Sequence, residues 1–203
     1  HTPSSNVELP EGRAATDLSV GDHHSCALLD NGSITCWGLN NYGQLGENTT
    51  TNRPIPVYAH LPTGSPAVSV SVGPHSSCAI LENSSVYCWG HNHFGRLGIG
   101  VTGGIYQLPM FVEGATNVVD LSLDYDHTCA LSENGSISCW GRSKYGPLGI
   151  GQSGDINTPQ SVDYNIAPFA YLTGPAPQGD WEDETGLRGR ATASENNVWK
   201  VEI

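Results

Sequence analysis

Cysteine is the residue type with the most chemistry to offer in this chain, and its six copies fall in three pairs: Cys26 and Cys36, Cys78 and Cys88, Cys129 and Cys139. Two chemistries suit such pairs. Thiolates can hold a soft metal, but that calls for ligands converging from C-x-x-C spacings, and none occurs here. Cysteines on either side of a tight turn instead face each other across a hairpin, near the separation a disulfide requires. The pattern predicts three within-hairpin disulfides that use every cysteine. Each would close a loop of about eleven residues, contributing about 2.8 kcal/mol in the chain-entropy model. Three bridges imply an oxidising setting, so the expectation is an extracellular, secreted protein.

Histidine is the next candidate. His24-Ser25 and His127-Thr128 stand close to Asp22 and Asp126, which together are the ingredients of a nucleophile, a base and an orienting acid. Nucleophilic catalysis needs one oriented constellation, whereas these are distributed one per repeat. No catalytic residue is expected, and the chain reads as a non-enzyme. Asp180, Glu182, Asp183 and Glu184 carry oxygen ligands of the kind Ca²⁺ takes, but without the spaced form of a dedicated loop. They read as a solvated loop, with no metal site and no cofactor expected.

Four N-x-[ST] sequons offer acceptor sites for N-linked glycans at Asn31, Asn48, Asn83 and Asn134. Three of them fall on the same hairpin tip in successive repeats, where Asn-Gly-Ser is also a favoured turn. In the second repeat Ser84 replaces the glycine while the sequon stays. Trp37, Trp89 and Trp140 follow the second cysteine of each pair and read as core rather than as a ladder for stacking sugars. Trp181, Trp199 and Val201 lie outside the repeats and are the interface candidates.

The elements that position these residues are repeated. Segments beginning at Asp17, Val68 and Asp120 align almost without adjustment. Repetition at about fifty residues means stacked supersecondary units. Within a unit the pattern is β: a turn at Asp30-Asn31-Gly32 sets Cys26 opposite Cys36 and Leu28 opposite Ile34 on one face, with Ala27 opposite Thr35 on the other. Cys78/Cys88 with Ile80/Val86, and Cys129/Cys139 with Leu131/Ile137, repeat the arrangement. The organisation predicted is an N-terminal segment at 1–13, repeats at 14–67, 68–116 and 117–162, and a cysteine-free tail at 163–203. The tail ends in an apolar/polar alternation that reads as a strand.

Composition agrees with this reading. Gly at 25 and Pro at 13, with only 14% charged residues, describe turn-rich β structure. A net charge of −12 with only 8 Lys plus Arg would repel phosphate, so nucleic acid is not an expected partner. No apolar run approaches the roughly 20 residues of a membrane span. The chain begins at His1 without Met and is taken as a processed or trimmed form.

The residues also carry a signature. His24-Ser25-Cys26-Ala27-Leu28, then Trp37-Gly38-Leu39-Asn40, then Gly43-Gln44-Leu45-Gly46 resemble the regulator of chromosome condensation (RCC1-type) repeat. Trp89-Gly90-His91-Asn92 with Gly95-Arg96-Leu97-Gly98 repeats the match, though Ser76 stands where the family has His. The third unit keeps His127 and Gly146-Pro147-Leu148-Gly149, with Ser143 in place of Asn. The resemblance spans about residues 14 to 162 and implies a β-propeller, with a structural hydrogen-bonding role for the repeat histidines. The family's activities in nucleotide exchange and on chromatin suit neither the acidity nor the cystines, whereas its secreted members are binding proteins. The fold class expected is all-β, with three RCC1-like blades forming an incomplete or capped propeller. Propellers close with about four to eight blades, so three leave uncovered faces. The function expected is that of an extracellular structural subunit, self-associating through terminal strands into a filament or other homo-oligomer. The alternative is a secreted or surface-borne module that binds a protein or glycan.

Overall fold

The computed structural model describes residues 7–10, 12–162, 179–182, 188–193 and 199–202. The chain divides into two units, residues 1–163 and 164–203. The first holds three four-stranded antiparallel meanders, one per repeat. Blade 1 is β1 (Ala15–Val20), β2 (His24–Leu29), β3 (Ile34–Gly38) and β4 (Arg53–Tyr58). Blade 2 is β5 (Ala67–Val72), β6 (Ser76–Leu81), β7 (Val86–His91) and β8 (Ile105–Phe111), with a short 3-10 turn at His93–Gly95. Blade 3 is β9 (Val118–Leu123), β10 (His127–Ser132), β11 (Ile137–Arg142) and β12 (Asp155–Ser161). The second unit is a three-stranded antiparallel sheet of β13 (Gly179–Glu182), β14 (Arg188–Ala193) and β15 (Trp199–Glu202). Among the described residues no helix is long and apolar enough to cross a membrane.

Strand register explains why both faces of a blade are apolar. Cys26 pairs with Cys36 and Leu28 with Ile34, so these four side chains share one face. On the opposite face β1 sets Leu18 against Ala27 and Val20 against Ser25, and β2 sets Ser25 against Trp37. Between neighbouring blades neither face belongs to solvent, because the blades stack. The cystine face of blade 1 (Cys26, Leu28, Ile34, Cys36) packs on Val70, Val72, Ala79 and Trp89 of blade 2. Cys78, Ile80, Val86 and Cys88 pack in the same way on Leu121, Ala130 and Trp140 of blade 3. The core lies between the blades, as in a repeat array whose units cannot bury their faces alone.

The strand order also gives each blade two ends. The β1–β2, β5–β6 and β9–β10 connections meet the long β3–β4, β7–β8 and β11–β12 loops at one end. The β2–β3, β6–β7 and β10–β11 hairpin tips lie at the other.

Candidate functional site

The recurring constellation of this fold is the joint between blades. In each joint the tryptophan after the second cysteine crosses to the preceding blade and donates to a backbone carbonyl within G-x-L-G. Trp89 Nε1 reaches the Gln44 carbonyl at 2.8 Å, and Trp140 Nε1 the Arg96 carbonyl at 2.8 Å. A hydroxyl before the first cysteine shares the same acceptor: Ser77 Oγ donates to Gln44 at 2.9 Å, and Thr128 Oγ1 to Arg96 at 2.9 Å. The last glycine of G-x-L-G makes room for the indole. A Cβ on Gly46 would stand 2.8 Å from Trp89 Nε1, and one on Gly98 2.7 Å from Trp140 Nε1.

The glycine after each tryptophan has its own reason. Gly38, Gly90 and Gly141 have φ of 111°, 104° and 107°. A Cβ at these positions would lie 2.4–2.5 Å from the carbonyls of His23, His75 and Asp126. The Asn of W-G-x-N then closes the long loop. Asn40 Oδ1 accepts from Leu45 N and its amide donates to Thr49 O, while Asn92 does the same for Leu97 N and Val101 O. Ser143 keeps half of this role, donating to Gln152 O at 2.9 Å.

The first joint has an extra member. His24, almost fully buried, meets Ser77 Oγ at 2.8 Å across the blade boundary. Since Ser77 Oγ donates to Gln44, it accepts from His24 Nε2–H, which leaves Nδ1 as the bare nitrogen, buried and without a partner among the described residues. Burial, helped by His75 and His23 nearby, lowers the His24 pKa to about 4. The second joint carries Ser76 in its place, so this link occurs once.

At the two ends of the array the half-joints stand open among the described residues. On blade 1, Leu18 and Val20 are 59% and 65% exposed, whereas Val70 and Val72 of blade 2, their counterparts, are buried. Trp37 is half-buried where Trp89 and Trp140 are fully enclosed. On blade 3, Leu131 is 39% exposed and Cys129 and Ile137 are partly open, while Leu148 and Ile150 form a small cluster behind them.

The loop end gathers titratable rings from all three blades. His75 lies 6.3 Å from His23 and 6.3 Å from His91, Tyr42 stacks on His91 at 4.4 Å, and Tyr125 meets His75 edge-on at 5.4 Å. Burial, then the nearby Arg96 cation, lowers the pKa of His91 to about 4 and that of His75 in the same direction. Burial also disfavours the charge of Arg96 itself, against the pull of Asp126.

The residues singled out from sequence are placed as follows. Cys26–Cys36, Cys78–Cys88 and Cys129–Cys139 are bonded, each with Cα atoms 4.1 Å apart. Asn31, Asn83 and Asn134 are exposed at the hairpin tips, each side-chain oxygen accepting from the backbone N–H two residues on. Asn48 is exposed at the loop end, where its N–H donates to Gln107 O. Trp181 lies on β13 and Trp199 and Val201 on β15, but their side chains, and with them the interface assignment, lie outside the description. Asp180 and Glu182 lie on β13, whereas Asp183 and Glu184 are outside the described residues. Among the described residues no group of three or more His, Cys, Asp or Glu is placed to hold a metal. Sequence reasoning missed the acceptor half of each joint, because a backbone carbonyl has no residue signature. The recurrent hydroxyl at Ser25, Ser77 and Thr128 was the available signal.

Fold and joints together define an array of β-propeller blades. The model of the regulator of chromosome condensation (RCC1) repeat matches residues 15–44, 67–96 and 118–146, and a second model of that repeat matches 31–80 and 83–131. The chain belongs to the RCC1 repeat family. It is 32% identical over 147 residues to the ultraviolet-B receptor UVR8 of Arabidopsis thaliana, a match covering 71% of this chain and 33% of that protein. It is 28% identical over 161 residues to human E3 ubiquitin-protein ligase HERC2, covering 77% of this chain and 3% of the ligase. Among solved structures, human WBSCR16 superposes with a TM-score of 0.71 at 26% identity, covering 79% of this chain and 43% of that one. Yeast RCC1 (Prp20) superposes with a TM-score of 0.67 at 21% identity, covering 76% of this chain and 38% of that one. The chain thus spans only a minor part of these relatives.

Proposed function

We propose that the chain is a non-enzymatic, extracellular assembly module that joins further copies of itself through its open blade faces. The complementarity of the two half-joints carries this reading. Trp37 and Ser25 on blade 1 present the donors that meet a G-x-L-G carbonyl in both complete joints. Pro147 on blade 3 holds the matching carbonyl, and no donor among the described residues reaches it. Leu18 and Val20 correspond to the residues that cover a cystine face elsewhere, and Cys129, Leu131 and Ile137 form such a face. An exposed apolar pair on one blade and an uncovered cystine on another are what a stacked repeat buries. The three cystines support the extracellular setting. N-linked glycans at Asn31, Asn48, Asn83 and Asn134 belong to the same reading, and a mass shift on endoglycosidase treatment of native material checks them.

Light scattering coupled to size exclusion tests the assembly. The chain should give masses above 21.5 kDa that rise with concentration. Leu18→Glu/Val20→Glu, which alters only exposed positions, should return it to monomer without loss of folding. A monomer at every concentration would overturn the reading. A second reading, a surface-borne binding module for a protein or glycan, is favoured by the ring-lined loop end.

A further inference from the structure

The loop end concentrates cationic and ionisable groups on an otherwise acidic chain. His23 and His75 come from the β1–β2 and β5–β6 connections, His91 closes β7, and His93 opens the 3-10 turn, 5.5 Å from His91. Beneath these rings the side chain of Arg96 is 1% exposed. Its Nε donates to the His93 carbonyl at 3.1 Å, and one terminal nitrogen lies 3.6 Å from Asp126 Oδ1. Its other terminal nitrogen, Nη1, has no partner among the described residues, and neither have Nδ1 of His75 and Nδ1 of His91. Asp126 already accepts from Arg142 at 2.9 Å. Two guanidinium groups therefore share one carboxylate, and Asp22 is the further acid whose field reaches His75.

Burial first, and then a buried cation with half a counter-ion, oppose a positive charge on His75 and His91. An anion seated on them reverses that balance. It compensates the surplus guanidinium charge and gives each imidazole a reason to bind a proton and donate it in a charge-assisted hydrogen bond. One surplus charge suits a monoanionic group better than a dianionic phosphate. The exposed rings of Tyr125 and His23, with Tyr42 between His75 and His91, offer apolar faces for the methylenes that carry a carboxylate on a glutamate side chain.

We propose that the histidine–tyrosine surface at the loop end is a carboxylate-binding site for an acidic peptide segment, and that it binds more tightly as the medium becomes acidic. Ligand and proton are taken up together, so each strengthens the other. The groups facing His75 and His91 are Asp22, His23, His24 and Tyr42 from the first blade, His93 and Arg96 from the second, and Tyr125, Asp126 and Arg142 from the third. The acids are fewer than the cations once the histidines protonate. This site does not depend on association between blade faces, since it lies within one copy.

Calorimetry of the whole chain with acetylated hexaglutamate amide tests it at about pH 7.5 and about pH 5.5, the span over which ordinary histidines titrate. Affinity should rise about tenfold or more at the lower pH, with net uptake of at least about one proton in buffers of different ionisation heat. His75→Gln/His91→Gln should abolish that rise while thermal unfolding shows the fold intact. If the double variant does not fold, the imidazole resonances of the unaltered chain decide: those of His75 and His91 should move to higher pKa on adding peptide. Equal affinity at both pH values, equal binding of hexaglutamine, or unmoved imidazole resonances would overturn the proposal. So would preferential binding of a heparin hexasaccharide, which would make the surface a receptor for sulfated glycans.

Discussion

The indole of Trp89 does two things at once: its rings fill the first joint, and its Nε1–H satisfies the Gln44 carbonyl. Trp89→Phe keeps most of the packing and removes the donor, so it should cost about 1–3 kcal/mol, the range for disturbing a buried hydrogen bond. Trp37→Phe, on the open face, should change the denaturant midpoint of dilute protein far less, and a pair of urea titrations compares them. His24 adds a pH dependence. Its folded pKa of about 4 lies below the unfolded value of 6.5, so the unfolded chain binds the proton first. The stability of the first joint is complete above about pH 6.5 and declines as pH falls toward 4, by up to about 3 kcal/mol at this buried group. Melting temperatures at neutral and acid pH should show the decline, and His24→Gln should flatten it.

At the scale of the element, the inner hairpins were legible because several signals agree. Cysteine pairing, the Asn-Gly turn and the apolar alternation all point to one register, which the structure has as Cys26↔Cys36 and Leu28↔Ile34. The outer strands β4, β8 and β12 were not legible. They carry Pro54, Pro56, Pro109 and Pro159, which a sheet tolerates on its edge but which hide a strand pattern. One turn departs from its siblings. Ser84 sits at φ 62°, where Gly32 and Gly135 have 76° and 83°. A non-glycine residue is strained there. Ser84→Gly should therefore stabilise the chain by about 0.5–1 kcal/mol, read as a higher unfolding midpoint. The sequon at Asn83 survives this change, so any altered glycosylation would report on the turn and not on the acceptor motif.

For the whole molecule, the count of three repeats was enough to predict uncovered faces, since covering is a property of stacking. It could not say which side chains would be left open. Val20 and Val72 are the same residue at equivalent positions and differ in having a neighbour. The loop-end cluster was hidden for a related reason. His23, Tyr42, His75 and Tyr125 are distant in sequence and meet only because successive blades place their connections at one end. The match to a family of longer proteins identifies the blades but leaves their end faces to the particular chain.

The cystine of the third blade has a consequence of its own. Cys26–Cys36 and Cys78–Cys88 are walled in by the next blade, while Cys129 is partly open to solvent. Thiol–disulfide exchange needs an attacking thiolate to reach a sulfur, so access sets which bond yields first. With limiting reductant and an alkylating label, Cys129 and Cys139 should be modified well before the other four cysteines. A second copy seated on that face would shelter the bond, so its reduction rate becomes a clock for occupancy. The same bond makes the open face the part of the described array whose integrity answers first to the redox state of its surroundings.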